Sequence, residues 1–188
     1  MPGKTSPVAV LDANVLVQAP VRDTLLRLAE EPAIYQPLWS DEIIAEVKRT
    51  LELKFRIEPH RTARLELTLR EHFPEAWVEG YEPLLSQMGN DPKDRHVLAV
   101  AAQAKSNLLV TYNLRHFPPS ATKPWGVTAI GPSTLLKSLY RRHRKRVLEV
   151  LHEQAADIRR TLHEQLNVLH GAVPAFVDAV RHDLGSGL

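Results

Sequence analysis

Residues 91–117 read DPKDRHVLAVAAQAKSNLLVTYNLRHF, and their interpretation decides the fold. A helix followed by a buried strand is predicted here. Asp91 is a good N-cap, Pro92 sits at the first helical position, and Asp94 falls three residues after the cap. Over residues 97–104 the helix is apolar nearly all round, so it needs cover on more than one side. LLVTYN (108–113) is apolar without alternation, as a strand covered on both faces requires. Acids at the start of a buried helix and a polar residue at the end of a buried strand mark this stretch as a candidate site.

Outward from this unit, PVAVL (7–11) is a second short apolar run, a central strand ending at Asp12. Asp12-Ala13-Asn14 leads into VLVQAPVRDTLLRLAEE (15–31), a helical pattern that Pro20 divides in two. IYQPLW (34–39) reads as a third strand, which Pro37 either weakens or places near an edge. Ser40 caps a helix running to about Phe55, with Asp41 and Glu42 complementing its dipole and Ile43, Ile44, Val47 and Leu51 as its buried stripe. Pro59 opens another helix reaching His72. WVEGYEPLLSQMGN (77–90) reads as strand, turn and short helix, PPSATKP (118–124) as a loop, and WGVTAI (125–130) as a last strand. Strands alternating with helices predict an α/β sandwich around a mainly parallel sheet over residues 1–132. From Ser133 the chain reads as helix alone, a C-terminal extension over residues 133–188. Leu148, Leu151, Ala155, Ile158, Leu162, Leu166 and Leu169 form one amphipathic stripe that needs a partner surface, and His152, His163 and His170 fall together beside it. Gly171 and Pro174 end that stripe before a final helix, AFVDAVRHDL (175–184).

With 188 residues, 44% of them hydrophobic, the chain can bury one sizeable core plus an appendage. The absence of cysteine excludes disulfides and thiolate zinc sites and fits a reducing compartment. No run approaches the roughly 20 apolar residues that span a bilayer, and the apolar stretch in MPGKTSPVAVLD is too short for a signal peptide. A cytoplasmic protein without membrane contact is expected. The formal charge of +2 leaves a nucleic-acid partner open, so the distribution of charge decides.

In a parallel sheet, ligands bind beyond the carboxyl ends of the strands, near a topological switch point. Asp12 and Asn113 each end a predicted strand and belong on that rim. An acid ending a buried strand is costly without a partner, which singles out Asp12. On the 41–55 helix Glu46 flanks the buried stripe, whereas Glu42 lies almost opposite it. Asp94, one turn before Val97 and Leu98, leans toward covered surface. Each acid also has a plainer role: Asp91 as a simple cap, Asp94 in a capping box, Glu46 as a solvated helix residue. The helix from Asp91 brings its N-terminus to the rim only if antiparallel packing places it there, and that end lies on the opposite edge unless the connections differ, so topology by itself does not bring Asp94 to Asp12.

Taken together, V-L-D-A-N-V-L (10–16), S-D-E-I-I-A-E-V (40–47), D-P-K-D-R-H-V-L-A-V-A-A (91–102) and L-L-V-T-Y-N-L-R-H-F (108–117) resemble the PIN-domain nucleases, and the VapC-type toxins among them, over residues 7–131. The resemblance implies a PIN-like α/β/α sandwich whose acids converge in one cleft. Asp12, Glu46 and Asp94 match the family's three main acids, Thr111 and Asn113 its V-T-x-D/N segment, and Asn14 the polar residue two after the first acid. It further implies that these residues hold Mg²⁺ or Mn²⁺, which activates water against an RNA phosphodiester and leaves a 5′-phosphate and a 3′-hydroxyl. Many members carry aspartate where this chain has Asn113, and some an acid where His116 stands; Asp91 is the residue that would compensate. Asn14, Lys93, Arg95 and Arg115 are the expected substrate contacts. A homodimer and a cognate antitoxin are the implied partners. The run Arg141 to Arg146 is open to RNA, an acidic antitoxin or solvent. An antitoxin-independent RNA-processing nuclease and a non-catalytic RNA-binding scaffold remain as rivals. A haloacid-dehalogenase-type phosphotransferase is excluded, because Asn14 breaks its D-x-D pattern.

Overall fold

The protein is described by a computed structural model over residues 6–185, so the N-terminal MPGKT, part of the stretch read as too short for a signal peptide, lies outside the described residues. Among these, four strands form one sheet, β1 (Val8–Leu11), β2 (Gln36–Leu38), β3 (Leu108–Val110) and β4 (Thr128–Ile130). Every pair is parallel and the order is β2-β1-β3-β4, so the expected sheet is present and Pro37 does lie on an edge strand. Val10 aligns with Leu38 on one side and Leu109 on the other, and Val110 aligns with Ile130. Each strand lies within a run that the sequence marks as a strand. The run expected to open with a strand at Trp77 gives only an isolated bridge, Trp39 to Trp77, followed by a 3₁₀ turn over Glu82–Gln87.

Helices cover the sheet. α1 (Ala13–Leu16) and α2 (Ala19–Ala29) replace the first helical pattern, with Pro20 opening α2 where its missing N–H is harmless. α3 (Asp41–Phe55) is capped by Ser40, whose Oγ accepts from the Ile43 N–H at 3.3 Å, and buries the expected stripe. α4 (Pro59–His72) pairs with it. The helix expected from Asp91 divides: Asp91 caps a 3₁₀ turn over Pro92–Asp94, and α5 (Arg95–Gln103) begins only after Asp94. Val97 to Ala101 are fully buried where α5 packs on β1 and β3. Residues 118–124, expected as loop, contain the short helix α6 (Pro119–Thr122).

The C-terminal helices are α7 (Pro132–Arg142), α8 (Arg144–Asp157), α9 (Leu162–His170) and α10 (Pro174–Gly185). The single stripe expected from Leu148 to Leu169 is broken, and Ile158 is exposed. Arg159 takes a left-handed conformation, φ 53°, and the Arg160 N–H bonds the Ala155 carbonyl, closing α8 in a Schellman motif. Thr161 and Glu164 then open α9 with a capping box. Accordingly His152 sits on one helix and His163 and His170 on another, all exposed, instead of sharing a face. α8 and α9 pack on α2, and a buried polar seam joins them: Thr24 Oγ1 donates to Gln154 Oε1 at 2.9 Å, and Gln154 Nε2 donates to the Pro20 carbonyl at 3.0 Å. The apolar core is continuous from Ala9 in the sheet to Val180 in α10. Among the described residues no helix is long and apolar enough to cross a membrane.

Gln154→Leu removes both interhelical hydrogen bonds, while the Thr24 hydroxyl keeps the Pro20 carbonyl as its acceptor at 2.9 Å, so urea denaturation should show a loss of about 1 kcal/mol in unfolding free energy. No loss would show that the seam does not anchor the C-terminal helices.

Candidate active site

β1 and β3 are neighbours whose onward connections run to opposite sides of the sheet, to β2 and to β4, which makes the crevice at their carboxyl ends the switch point. Asp12 follows β1 and donates its N–H to the Val110 carbonyl at 3.0 Å; Thr111 follows β3 and donates to the Ile130 carbonyl at 3.0 Å. The ladder thus continues one residue past each strand and sets these two side chains side by side. Thr111 Oγ1 donates to Asp12 Oδ2 at 2.7 Å. Asn14 Nδ2 donates to the same Oδ2 at 2.7 Å and to Thr111 Oγ1 at 2.9 Å, while its Oδ1 accepts from the Tyr112 N–H at 3.0 Å. The Asn113 N–H donates to Thr111 Oγ1 at 2.9 Å, but the Asn113 side chain is exposed and makes no hydrogen bond among the described residues. Asp12 is 3% exposed, and its Oδ1 takes no part in this network.

Two aspartates here stand at N-cap positions without capping. Asp12 precedes α1 and Asp94 precedes α5, and neither side chain bonds its helix, although an N-cap carboxylate normally stabilises one by about 1 kcal/mol. Both are directed elsewhere. Asp94 Oδ2 lies 2.5 Å from His116 Nδ1, and His116 Nε2 accepts from Arg115 Nε at 3.2 Å. With Nε2 accepting, the ring proton belongs on Nδ1, so His116 donates to Asp94 and fixes its orientation. The plainer capping-box reading of Asp94 therefore fails.

The structure decides at which edge α5 begins. His116 follows β3, yet it meets Asp94 at the start of α5, while Ser106, just after α5, donates to the Val8 carbonyl at the start of β1. α5 thus runs antiparallel to the strands, and an antiparallel helix begins at the edge where they end. Asp94 shares the rim with Asp12.

Electrostatics tie the third acid in. Burial pushes the Asp12 carboxyl up to about 6 from 3.8, the Thr111 hydrogen bond opposes the rise, and the charges of Asp94 and then Glu46 add to it, offset in part by His96. Glu46 is one-third exposed, and its Oε2 lies 3.6 Å from Nε2 of His96, a residue only 4% exposed. His96 Nδ1 is 3.9 Å from Glu42 Oε1, and Glu42 Oε2 accepts from the Tyr81 hydroxyl at 3.0 Å. Burial lowers the affinity of His96 for a proton, but Glu46, Glu42 and Asp12 together raise it above the usual imidazole range. Glu42, expected on the far side of its helix, faces the same histidine as Glu46. The sequence reading missed His96 and Glu42; the signal available for His96 was a titratable residue opening an otherwise apolar helix.

Asp91, Asp94 and His116 each offer a ligand atom within 4.8 Å of the others. His116 already uses both ring nitrogens, so oxygen donors dominate the cleft. Crowded carboxylates, one of them buried with a raised proton affinity and a free oxygen, fit a hard divalent cation such as Mg²⁺ or Mn²⁺. Of the expected substrate contacts, Lys93 is exposed and Arg95 half-buried, and they line a cavity of about 340 Å³ with His96 and Glu42; Arg115 is tied to His116. A larger cavity, about 610 Å³, lies around Tyr35, His72 and Glu75 and includes none of these residues.

Residues 8–115 match the family model described as "PIN domain". The chain is also 36% identical over 115 residues to "Putative ribonuclease VapC50" of Mycobacterium tuberculosis (strain ATCC 25618 / H37Rv), a match covering 60% of this chain and 68% of the relative.

A carboxyl raised from 3.8 to about 6 by folding binds its proton more tightly in the folded state, so the metal-free protein loses stability as pH climbs through that window. The loss is on the order of 3 kcal/mol by neutral pH. Asp12→Asn should therefore melt several degrees above wild type in chelator at neutral pH, the gap closing toward about pH 4. Coincident melting temperatures at both pH values would contradict the raised carboxyl.

Proposed function

The chain belongs to the PIN-domain family, and on that premise we propose that it is a divalent-metal-dependent endoribonuclease, the toxin of a type II toxin–antitoxin pair, acting in the cytoplasm. One observation carries the proposal: a carboxylate at the switch point, Asp12, is buried in the field of two more acids, Glu46 and Asp94, that lie far from it in sequence. Similarity to a protein named as a ribonuclease supports RNA as the substrate.

Asp12, Glu46 and Asp94 hold the ion. Thr111 and Asn14 keep Asp12 in one rotamer, so its Oδ1 is presented without reorganisation when charge develops. His116 does the same for Asp94. Asn113 offers an amide oxygen at the rim without adding charge, and Asp91 supplies the negative charge that an aspartate at position 113 would have brought. Mg²⁺ or Mn²⁺ held by these residues would supply the Lewis acidity for hydrolysis of the phosphodiester by water, which gives a 5′-phosphate and a 3′-hydroxyl. Lys93, Arg95 and Arg115, with Asn14, meet the RNA on the solvent side of the cleft. A homodimer and an antitoxin that fills the cleft complete the proposal, and residues 133–188 are an extension on a nuclease unit of residues 1–132.

The purified protein should cleave RNA with Mg²⁺ or Mn²⁺ and stop with chelator. Asp12→Ala, Glu46→Ala and Asp94→Ala should each lower kcat by a factor of about 100 or more, and Thr111→Ala, which removes one hydrogen bond to Asp12, by about tenfold. Sequencing of RNA 5′ ends from cells expressing wild type or Asp12→Ala gives the same test in vivo. Identical end profiles would overturn the assignment.

A further inference from the structure

The basic run at Arg141 to Arg146 is not one patch. Arg144, Lys145 and Arg146, at the start of α8, are engaged with Asp183 at 3.4 Å, Glu149 at 3.8 Å and Glu153 at 3.6 Å. Arg141 and Arg142, at the end of α7, make no hydrogen bond or ion pair among the described residues, and neither does Lys137 one turn earlier. α7 contains no acid at all. The acids of α10, which packs beside it, are turned to other partners: Asp178 to His170 at 3.3 Å and Asp183 to Arg144.

These cations share one solvent-facing side of α7. Leu135, Leu136, Leu139 and Tyr140 bury the other side. Positions 133–134, 137–138 and 141–142 recur at steps of four, which puts Ser133, Thr134, Lys137, Ser138, Arg141 and Arg142 along a cavity of about 520 Å³ whose one apolar lining residue is Ala175. The side begins at the active-site rim: the Thr111 N–H bonds the Ile130 carbonyl, and Pro132 opens α7 two residues later. From Ser133 to Arg142 the helix then carries the cations about 13 Å along its axis.

We propose that this side of α7 is a track for the phosphate backbone of the RNA, continuing the cleft beyond the site of cleavage. Unpaired cations interleaved with hydroxyl donors match phosphate oxygens, whereas a peptide partner needs an apolar anchor that this surface lacks. The contacts are to the backbone, so they add affinity and length dependence rather than base choice. The inference rests on RNA as the substrate, and its test separates the two.

Binding of a single-stranded RNA oligonucleotide is measured by fluorescence anisotropy across a salt series, using full-length Asp12→Ala so that no cleavage intervenes. Adding Lys137→Gln, Arg141→Gln and Arg142→Gln should weaken binding at least tenfold and flatten the slope of log K against log salt by about 2, for three lost phosphate contacts at about 0.7 each. A control carrying Arg144→Gln, Lys145→Gln and Arg146→Gln should bind within about twofold of its parent, because those cations are already paired. An unchanged slope and affinity in the first variant overturns the track, as does an RNA affinity that survives while binding to an acidic protein partner is lost. RNA binding that depends on α7, when the wild-type protein with Mg²⁺ or Mn²⁺ leaves the same RNA uncut, upholds the track and defeats the nuclease reading. No RNA binding by any form defeats both.

Discussion

The folded chain holds a carboxylate out of water at the point where two parallel strands end, within the field of two further acids. Removing an ionised group from solvent is expensive, and placing like charges nearby adds to the expense. Much of the local architecture answers that constraint. The Asp12 oxygen that faces the strands receives two short hydrogen bonds, from Thr111 and Asn14, and both donors are themselves fixed by backbone contacts. Asp12 and Asp94 lie at the N-termini of α1 and α5, where the partial positive charge of the helix end favours an anion even though the side chains do not cap. A buried imidazole, His96, sits against Glu46 and lowers the proton affinity of Asp12. These measures leave the carboxyl still raised, so the cleft keeps a residual demand for positive charge.

Rigidity comes from the layers behind the cleft. The strands are only three or four residues long, and the site residues lie just past their ends, where α5 on one side and the turn after β3 on the other close the rim. Of the C-terminal helices, α8 and α9 pack on α2 and all four pack on one another around the same continuous core, with the polar seam from Gln154 to Thr24 joining α8 to α2. α7 is the member of that group that begins at the rim, which is why its charge pattern has consequences for the cleft while those of α8 and α9 do not.

The sheet was legible because its strands are unbroken apolar runs, and period alone locates such runs. Asp12 was legible for the same reason: it ends one of them. Glu46 could be placed from the helical wheel of α3, and the same wheel left Glu42 exposed, as it is; what the wheel could not register is the approach of His96 from α5 to both carboxylates. The convergence of Asp94 on Asp12 depends on the direction in which α5 crosses the sheet, and the hydrogen bonds at its two ends settle that direction. The break between α8 and α9 was hidden because Arg159 takes a left-handed turn that glycine usually marks, and no glycine or proline stands there. His116 entered only as a departure from a family pattern; that it orients Asp94 is a property of the tertiary structure.

The field among the three acids can be read from the Asp12 carboxyl itself, titrated by ¹³C NMR of selectively labelled protein in chelator and again with Mg²⁺. A midpoint near 6 is expected without metal, falling by at least one unit when the ion is added. A midpoint near the ordinary aspartate value of about 4 under both conditions would contradict it, because the three acids would then exert no field on one another that a cation relieves.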